Sequence, residues 1–242
     1  MLRPLAGAVL FLTRIPLPAL TLDERDIARS AGYFAWVGAL IALCLWGCSF
    51  ATPWVGPRLG ALLVVTVWVL LTGGLHLDGL ADSVDGLSGG RGERERTLSI
   101  MRDSRIGAHG ALALVLLLLL KAAALERALT LHTVAWLMAP VAARFACTLL
   151  MARFPYARAE GLGAPFVDSV RWPSLSIGML AVSLAGFCLG PGSVLLAALA
   201  IAAALLLGFR LNKRLGGLTG DVYGAAIELA ELTALLAAAV SR

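Results

Sequence analysis

The chain has 242 residues, of which 60% are hydrophobic and only 14% are charged, and its mean hydropathy is +0.87. Soluble domains carry about 25% charged residues, so this composition excludes a soluble globular protein and indicates an integral membrane protein. Each helical span of a bilayer uses about 20 apolar residues, so one helical bundle consumes this length. We therefore predict a single integral-membrane domain over residues 1–242.

The N-terminal stretch MLRPLAGAVLFLTRIPLPAL has the basic residue and the short apolar core of a signal peptide. However, Arg14, Pro16 and Pro18 interrupt it, and no small-x-small cleavage site follows. The apolar run is also too short to cross a bilayer. We interpret this stretch as an interfacial or re-entrant segment.

Apolar runs of spanning length follow along the rest of the chain. They cover residues 31–51, 59–77, 110–129, 134–152, 174–190, 194–210 and 222–240. We therefore predict an all-α polytopic membrane bundle of about seven transmembrane helices. The fifth and sixth runs are separated only by a short turn around Pro191, which predicts an antiparallel hairpin.

The lysines and arginines are distributed unevenly between the two sides of this bundle. With the N-terminus inside, fifteen of them fall in inner segments and three in outer segments. Positively charged segments are retained in the cytoplasm, so the N-terminus is expected inside and the C-terminus outside. The same rule explains the net charge of +5, and no nucleic-acid partner is predicted.

The stretch GGLHLDGLADSVDGLSGG, residues 73–90, lies at the inner end of the second run. If the helix continues past Leu77, Asp78, Asp82 and Asp85 are spaced i, i+4, i+7 and share one face. Such carboxylates repel one another unless a cation lies among them, and hard cations such as Mg²⁺ or Mn²⁺ suit carboxylate oxygens. These three residues are the predicted metal ligands, and a solvated acidic helix end is the alternative.

A second acidic stretch, GGLTGDVYGAAIELAEL, begins the last run at residues 216–232. Asp221 and Glu228 share a helix face, with Glu231 in the same sector. Glu228 lies two turns into the membrane, where a carboxylate is costly and is a functional candidate. We predict that Asp221 and Glu228 complete the metal site or position a substrate and that Glu231 contacts substrate. The alternative for Glu228 is an internal ion pair with Arg144.

Two predicted inner loops carry clustered arginines. Arg102 and Arg105 lie one turn apart beside Asp103 and Ser104 in RTLSIMRDSRIGAHG, and this group predicts a phosphate-binding clamp. In ARFPYAR, Arg153 and Arg158 are predicted to bind phosphate in the same way. Ordinary positive-inside flanking is the alternative for each arginine. His76 and His109 are assigned no catalytic role, because His76 projects away from the aspartate face and His109 is interfacial.

An acidic metal site and a basic phosphate clamp at one membrane face indicate phosphoryl or nucleotidyl-phosphate transfer. In that chemistry a metal neutralises developing charge, and a carboxylate accepts the proton of the nucleophile. The residues by themselves do not name a substrate.

Five motifs identify a resemblance to a known family. FLTRIPLP, GGLHLDGLADSVDGLSGG, MRDSRIGAHG, FPYAR and GLTGDVYGAAIELAE resemble cobalamin synthase, the adenosylcobinamide-GDP ribazoletransferase family of the bacterial inner membrane, in order from about residue 8 to 232. The resemblance implies that α-ribazole, or its 5'-phosphate, attacks adenosylcobinamide-GDP and releases GMP, with Mg²⁺ required. The charge bias described above predicts an active site on the cytoplasmic side. Our hypothesis is that Asp82 or Asp85 accepts the proton of the ribazole 3'-hydroxyl. Membrane lipid is an expected neighbour; other corrinoid-assembly enzymes and a homo-oligomer are left open as partners.

Two other functions remain alternatives. The first motif loosely resembles the DGxxAR signature of CDP-alcohol phosphotransferases but departs from it at Asp82. A membrane transporter is the non-enzyme alternative. Transporters place their binding residues near the bilayer midplane, whereas most acidic residues here cluster at one face.

Overall fold

The computed structural model describes residues 2–18, 20–158, 161, 163–167 and 169–241, and these are helical except for turns, loops and one isolated bridge. The helices in chain order are α1 (Leu2–Leu12), α2 (Glu24–Ser30), α3 (Phe34–Ser49), α4 (Thr52–Thr72), α5 (Leu75–Gly89), α6 (Arg94–Ile100), α7 (Ala108–Thr130), α8 (Met138–Arg153), α9 (Ala164–Val167), α10 (Trp172–Leu189), α11 (Pro191–Leu215) and α12 (Gly220–Val240).

Within the described residues, seven segments are long and apolar enough to cross a membrane, which confirms the predicted number of spans. They are Glu24–Ser49, Thr52–Thr72, Ala108–Thr130, Ala135–Arg153, Trp172–Leu189, Pro191–Leu215 and Gly220–Val240. A short 3₁₀ turn joins α2 to α3, and these two helices form one continuous span. Another 3₁₀ turn leads directly into α8 and belongs to the same span as that helix. The predicted hairpin is confirmed, because α10 ends at Leu189 and α11 begins at Pro191.

Helices α8 and α12 form the centre of the bundle. Of the apolar stretch in the α8 span, 83% is buried, against 11% in the span of α10. Helix α8 packs against α3, α10, α11 and α12, while α12 also packs against α5 and α7. The polar residues that α8 and α12 carry are therefore withdrawn from lipid.

The second span ends earlier than predicted. The sequence indicated one helix through Leu77 into the aspartates, whereas α4 ends at Thr72 and a separate helix, α5, begins at Leu75. Gly73 and Gly74 both adopt left-handed backbone conformations, with φ of 63° and 73°, which terminate a helix and which glycine adopts without steric cost. The direction of α5 is therefore set independently of α4.

The N-terminal segment packs against this helix break. Helix α1 has 11 residues, too few to cross a bilayer. After α1 ends, the backbone N–H of Arg14 donates to the Leu71 carbonyl at 2.7 Å. The Arg14 side chain occupies the space that a side chain at Gly73 would need. The segment after α1 thus covers the point where α4 gives way to α5.

Candidate active site

Two glycines bring the aspartate helix α5 into backbone contact with the start of α12. A Cβ atom at Gly79 would lie 2.8 Å from the Asp221 carbonyl oxygen, and one at Gly224 would lie 3.2 Å from the His76 carbonyl oxygen. Larger residues at either position would force the two helices apart. The close crossing places the two acidic motifs side by side, although about 140 residues separate them in the chain.

The acidic residues at this crossing influence one another electrostatically. Asp78 is exposed, and Asp82 and Asp221 are half-buried. Burial first, and then the neighbouring carboxylates of Asp78, Asp221 and Asp85 in that order, raise the pKa of Asp82 to about 6, although Arg158 opposes the shift. The helical spacing predicted for Asp78, Asp82 and Asp85 is confirmed, because all three lie on α5.

Asp85 has partners in the structure that the sequence did not indicate. One carboxylate oxygen accepts the backbone N–H of Gly107 at 2.7 Å and the other accepts that of Gly110 at 2.8 Å. Gly107 is the residue that precedes the first turn of α7, so Asp85 caps that helix from a neighbouring one. Both of its oxygens are already engaged by amide donors.

Arg158 reaches the acidic crossing from the loop after α8. The backbone N–H of Ala157 donates to Leu218 at 2.8 Å, and that of Leu218 donates to Pro155 at 2.9 Å, which fastens this loop to the turn before α12. Arg158 forms an ion pair with Asp221, with Nη2 and Oδ2 2.8 Å apart but without hydrogen-bond alignment. Its Nε has no hydrogen-bond partner among the residues that the structure describes. The guanidinium group therefore retains N–H donors for an anion.

A cavity of ≈ 300 Å³ opens beside these residues. Polar and charged side chains at its wall include Asp78, Asp221 and Arg158, and none of Asp82, Asp85, Glu228 or Glu231 lines it. The full set of lining residues is Phe11, Leu12, Phe34, Leu75, His76, Asp78, Gly79, Cys147, Met151, Tyr156, Arg158, Gly161, Gly163, Gly220, Asp221, Tyr223, Gly224 and Ile227. Five separated segments of the chain thus enclose one cavity.

The two glutamates of α12 lie deeper and belong to a buried ion-pair cluster. Lys121 Nζ lies 2.5 Å from Glu228 Oε2 and 2.5 Å from Glu231 Oε2, and Arg144 pairs with Glu231. All four side chains are almost completely buried. The alternative of an internal ion pair for Glu228 names the wrong partner. Glu228 pairs with Lys121 of α7, and Arg144 pairs with Glu231. Two acids and two bases balance, as charges withdrawn from water require.

His76 lies in the site, although we predicted no role for it from the sequence. It is 3% exposed and lines the cavity, and its Nδ1 lies 3.4 Å from Arg144 Nη2. Burial first, and then the charge of Arg144, lowers its pKa to about 3, so the imidazole is neutral. Its side chain lies in the interior of the bundle, at the wall of the same cavity as Asp78.

The predicted phosphate clamp is divided in the structure. Asp103 and Arg105 form an exposed ion pair at 2.6 Å, which lowers the pKa of Asp103 to about 2, and they line a separate open pocket of ≈ 390 Å³ beside Asp85. Arg102 and Ser104 are exposed and line neither pocket. Arg153 lies 5.5 Å from the ring centres of Phe154 and Phe209, outside the cavity. Of the predicted arginines, Arg158 alone lines the ≈ 300 Å³ cavity.

Comparison with known families decides what this arrangement belongs to. The family model of cobalamin-5-phosphate synthase matches residues 4–239. The chain belongs to this family. An adenosylcobinamide-GDP ribazoletransferase of Citrobacter koseri is 43% identical over 237 residues, which cover 94% of this chain and 95% of that protein. Relatives of the same name from Brevibacillus brevis and Ectopseudomonas mendocina are 40% and 43% identical, with 94% or more of both chains covered. No solved structure matches.

Family membership confirms the resemblance and makes the chain a transferase of cobalamin synthesis. The seven apolar spans make it a multi-pass membrane protein.

Proposed function

We propose that this chain joins adenosylcobinamide-GDP to α-ribazole, or to its 5'-phosphate, and releases GMP. The product is adenosylcobalamin or its 5'-phosphate. Relatives named for this transfer cover nearly the whole chain. The observation that carries the assignment of the site is that Asp78, Asp82, Asp221 and Arg158, from three separate motifs, converge beside one cavity.

The reaction requires a nucleophile, a proton acceptor and a leaving group. The 3'-oxygen of ribazole forms a bond to the cobinamide-side phosphorus, and the bond from that phosphorus to the GMP oxygen breaks. The hydroxyl proton passes to a carboxylate, and Asp82 is the acceptor that the geometry favours. Asp82 is half-buried among other acids, which makes it a stronger base than an isolated aspartate, whereas both oxygens of Asp85 already accept amide N–H groups.

Arg158 supplies the positive charge on the diphosphate side. Backbone hydrogen bonds between its loop and the turn before α12 hold the guanidinium near Asp221. The guanidinium also has N–H donors that no described residue accepts. Preorganised donors of this kind stabilise charge that develops on phosphate oxygens without reorganisation during the reaction. Arg105, in the open pocket on the far side of Asp85, is positioned to meet a more distant part of the nucleotide.

The acidic crossing also suits a divalent cation. In the described part of the chain, no three acidic, histidine or cysteine side chains are close enough to hold a metal by themselves. Mg²⁺ usually takes only one or two carboxylates and fills its remaining positions with phosphate oxygens and water, so one or two of Asp78, Asp82 and Asp221 would hold it once a diphosphate is bound. When bound there, Mg²⁺ neutralises charge on the phosphates during transfer. Glu228 is not included in this proposed metal site, because its carboxylate pairs with Lys121.

The positive-inside bias supports a site on the cytoplasmic face of a bacterial inner membrane. Reporter fusions test this without reference to chemistry. A fusion after residue 95 should report a cytoplasmic location and a fusion at the C-terminus a periplasmic one. A cytoplasmic C-terminus would contradict the proposed orientation.

The central experiment is an assay of the purified, detergent-solubilised protein with adenosylcobinamide-GDP and α-ribazole. GMP and the cobalamin product should appear in equal amounts with Mg²⁺ and should be absent with a chelator. Asp78→Asn should lose activity, while Glu24→Gln, an exposed acid outside the cavity, should retain it. Turnover that persists in chelator, or hydrolysis to GMP without cobalamin product, would refute the proposal.

A further inference from the structure

The cavity at the α5–α12 crossing has walls of mixed chemistry. Asp78, Asp221 and Arg158 lie at its wall, together with an extensive aromatic and apolar surface. Its volume of ≈ 300 Å³ is at the small end of pockets that take drug-sized ligands, about 300–1,000 Å³. A corrinoid that carries GDP is several times larger than a nucleoside, so this cavity suits a single nucleoside-sized ligand.

The aromatic side chains at the wall come from α1, the start of α3, the loop that carries Arg158 and α12. The rings of Phe11 and Phe34 stack with centroids 5.8 Å apart and planes 13° from parallel. Tyr156 and Tyr223 form a second pair, 6.4 Å apart at 25°. Flat heteroaromatic bases bind to such surfaces by stacking, whatever their substituents.

Two buried polar atoms among the lining residues lack partners. Tyr223 Oη and His76 Nε2 have no hydrogen-bond partner within the described residues, and both side chains are 3% exposed. The guanidinium of Arg144 can only donate, so His76 Nδ1 is the acceptor and Nε2 carries the hydrogen. Buried donors normally have acceptors, and leaving one unpaired is costly. A ligand with an acceptor atom would satisfy them.

We propose that this cavity is the subsite for the ribazole nucleoside, with its benzimidazole base against the aromatic walls and its ribose towards Asp78, Asp221 and Arg158. This assignment rests on the proposed function. The base nitrogen that is not bonded to ribose is an acceptor for Tyr223 or His76. The ribose end then meets the diphosphate at the mouth of the cavity, and the corrinoid remains outside.

Two substitutions test the subsite from opposite directions. Phe11→Ala removes a wall of the cavity, and Phe11 is only partly buried, so the fold should tolerate the change. Gly220→Val fills the cavity, because a Cβ there would meet only Tyr156 Oη, at 3.8 Å. Phe187→Ala is the matched control, since Phe187 is 87% exposed and lies away from the cavity. Thermal unfolding of each variant verifies that it is folded.

Each variant is assayed with one substrate varied while the other is saturating. Phe11→Ala and Gly220→Val should each raise KM for α-ribazole about tenfold, equivalent to about 1.4 kcal/mol, and leave KM for adenosylcobinamide-GDP unchanged. The control should change neither value. Direct titration of α-ribazole, followed by its benzimidazole fluorescence, should show the same loss of affinity without the second substrate.

Other outcomes separate the subsite from the reaction. If the wild-type protein forms no cobalamin product, the proposed function fails. If it turns over and both variants instead raise KM for adenosylcobinamide-GDP, the corrinoid side occupies the cavity and the subsite assignment is wrong. Unchanged KM values for both substrates in two folded variants would also overturn the assignment.

Discussion

Replacing Asp82 with asparagine should abolish GMP release and, in the absence of metal, make the protein more stable. The asparagine side chain has nearly the same size but carries no charge. The folded protein holds the proton of Asp82 more tightly than the unfolded chain does, since the pKa rises from 3.8 to about 6. Ionised Asp82 is therefore a source of instability in the folded state.

The size and the pH dependence of the effect follow from these two pKa values. The difference between 3.8 and about 6 corresponds to roughly 3 kcal/mol at most. Asp82 is half-exposed, and solvent screening reduces this to about 1 kcal/mol. The stability of the wild-type protein relative to the asparagine variant should fall as pH rises from about 4 to about 6, because the variant has no carboxyl group to ionise at position 82. The variant should therefore unfold about 2–4 °C higher above pH 6, with no advantage near pH 4.

The assay is thermal unfolding in detergent with a chelator, from pH 4 to pH 8, alongside GMP release at pH 8. Asp103→Asn is the control, because the pKa of Asp103 is lowered and neutralising it should not stabilise the protein. Added Mg²⁺ should raise the unfolding temperature of the wild type more than that of the Asp82 variant. A variant that is less stable above pH 6 would show that Asp82 is structural, and one with normal turnover would remove it from the mechanism.

Three further substitutions test other parts of the site. Arg158→Gln should lower kcat/KM for GMP release about 100-fold, whereas Arg153→Gln, outside the cavity, should have little effect. Lys121→Met should cost about 3–5 kcal/mol of stability by leaving a buried carboxylate unpaired, and adding Glu228→Gln should recover much of the lost unfolding temperature; no recovery would contradict the pairing. Gly79→Leu should lower both the unfolding temperature and the rate, because its side chain would separate α5 from α12, and a stable, active variant would refute the close crossing.

The spans were predictable because the bilayer imposes a length and a composition on every crossing helix. The positions of the acidic residues were also visible, since charge at the edge of an apolar run is rare. The end of α4 has a local cause, because Gly73 and Gly74 adopt the left-handed conformation that terminates a helix, and a glycine pair in an apolar run is a termination signal that a sequence contains.

The partners of the acidic residues could not be predicted from local patterns. Asp85 meets the start of α7, and Glu228 meets Lys121 in the middle of the same helix. Both pairings depend on which helices are neighbours in the bundle. Periodicity shows which face of a helix a residue occupies but not which helix that face contacts. His76 was misjudged for the same reason, because both faces of α5 are packed.

The acidic residues of α12 differ in environment along the helix, with Asp221 at the cavity and the two glutamates in buried ion pairs. Glu228 and Glu231 lie inside the membrane, and Lys121 and Arg144 balance them completely. At the crossing, by contrast, the three aspartates Asp78, Asp82 and Asp221 share one cation within the described part of the chain, Arg158.

The acidic crossing therefore has a formal charge of −2 from three carboxylates and one guanidinium. An incoming diphosphate adds further negative charge, and at separations of a few ångströms such like charges repel strongly. A site that must bind phosphate in this position needs positive charge beyond that of Arg158, the cation that the described residues place there. The proposed divalent cation would resolve this imbalance, whereas the neutral cluster deeper in the bundle needs none.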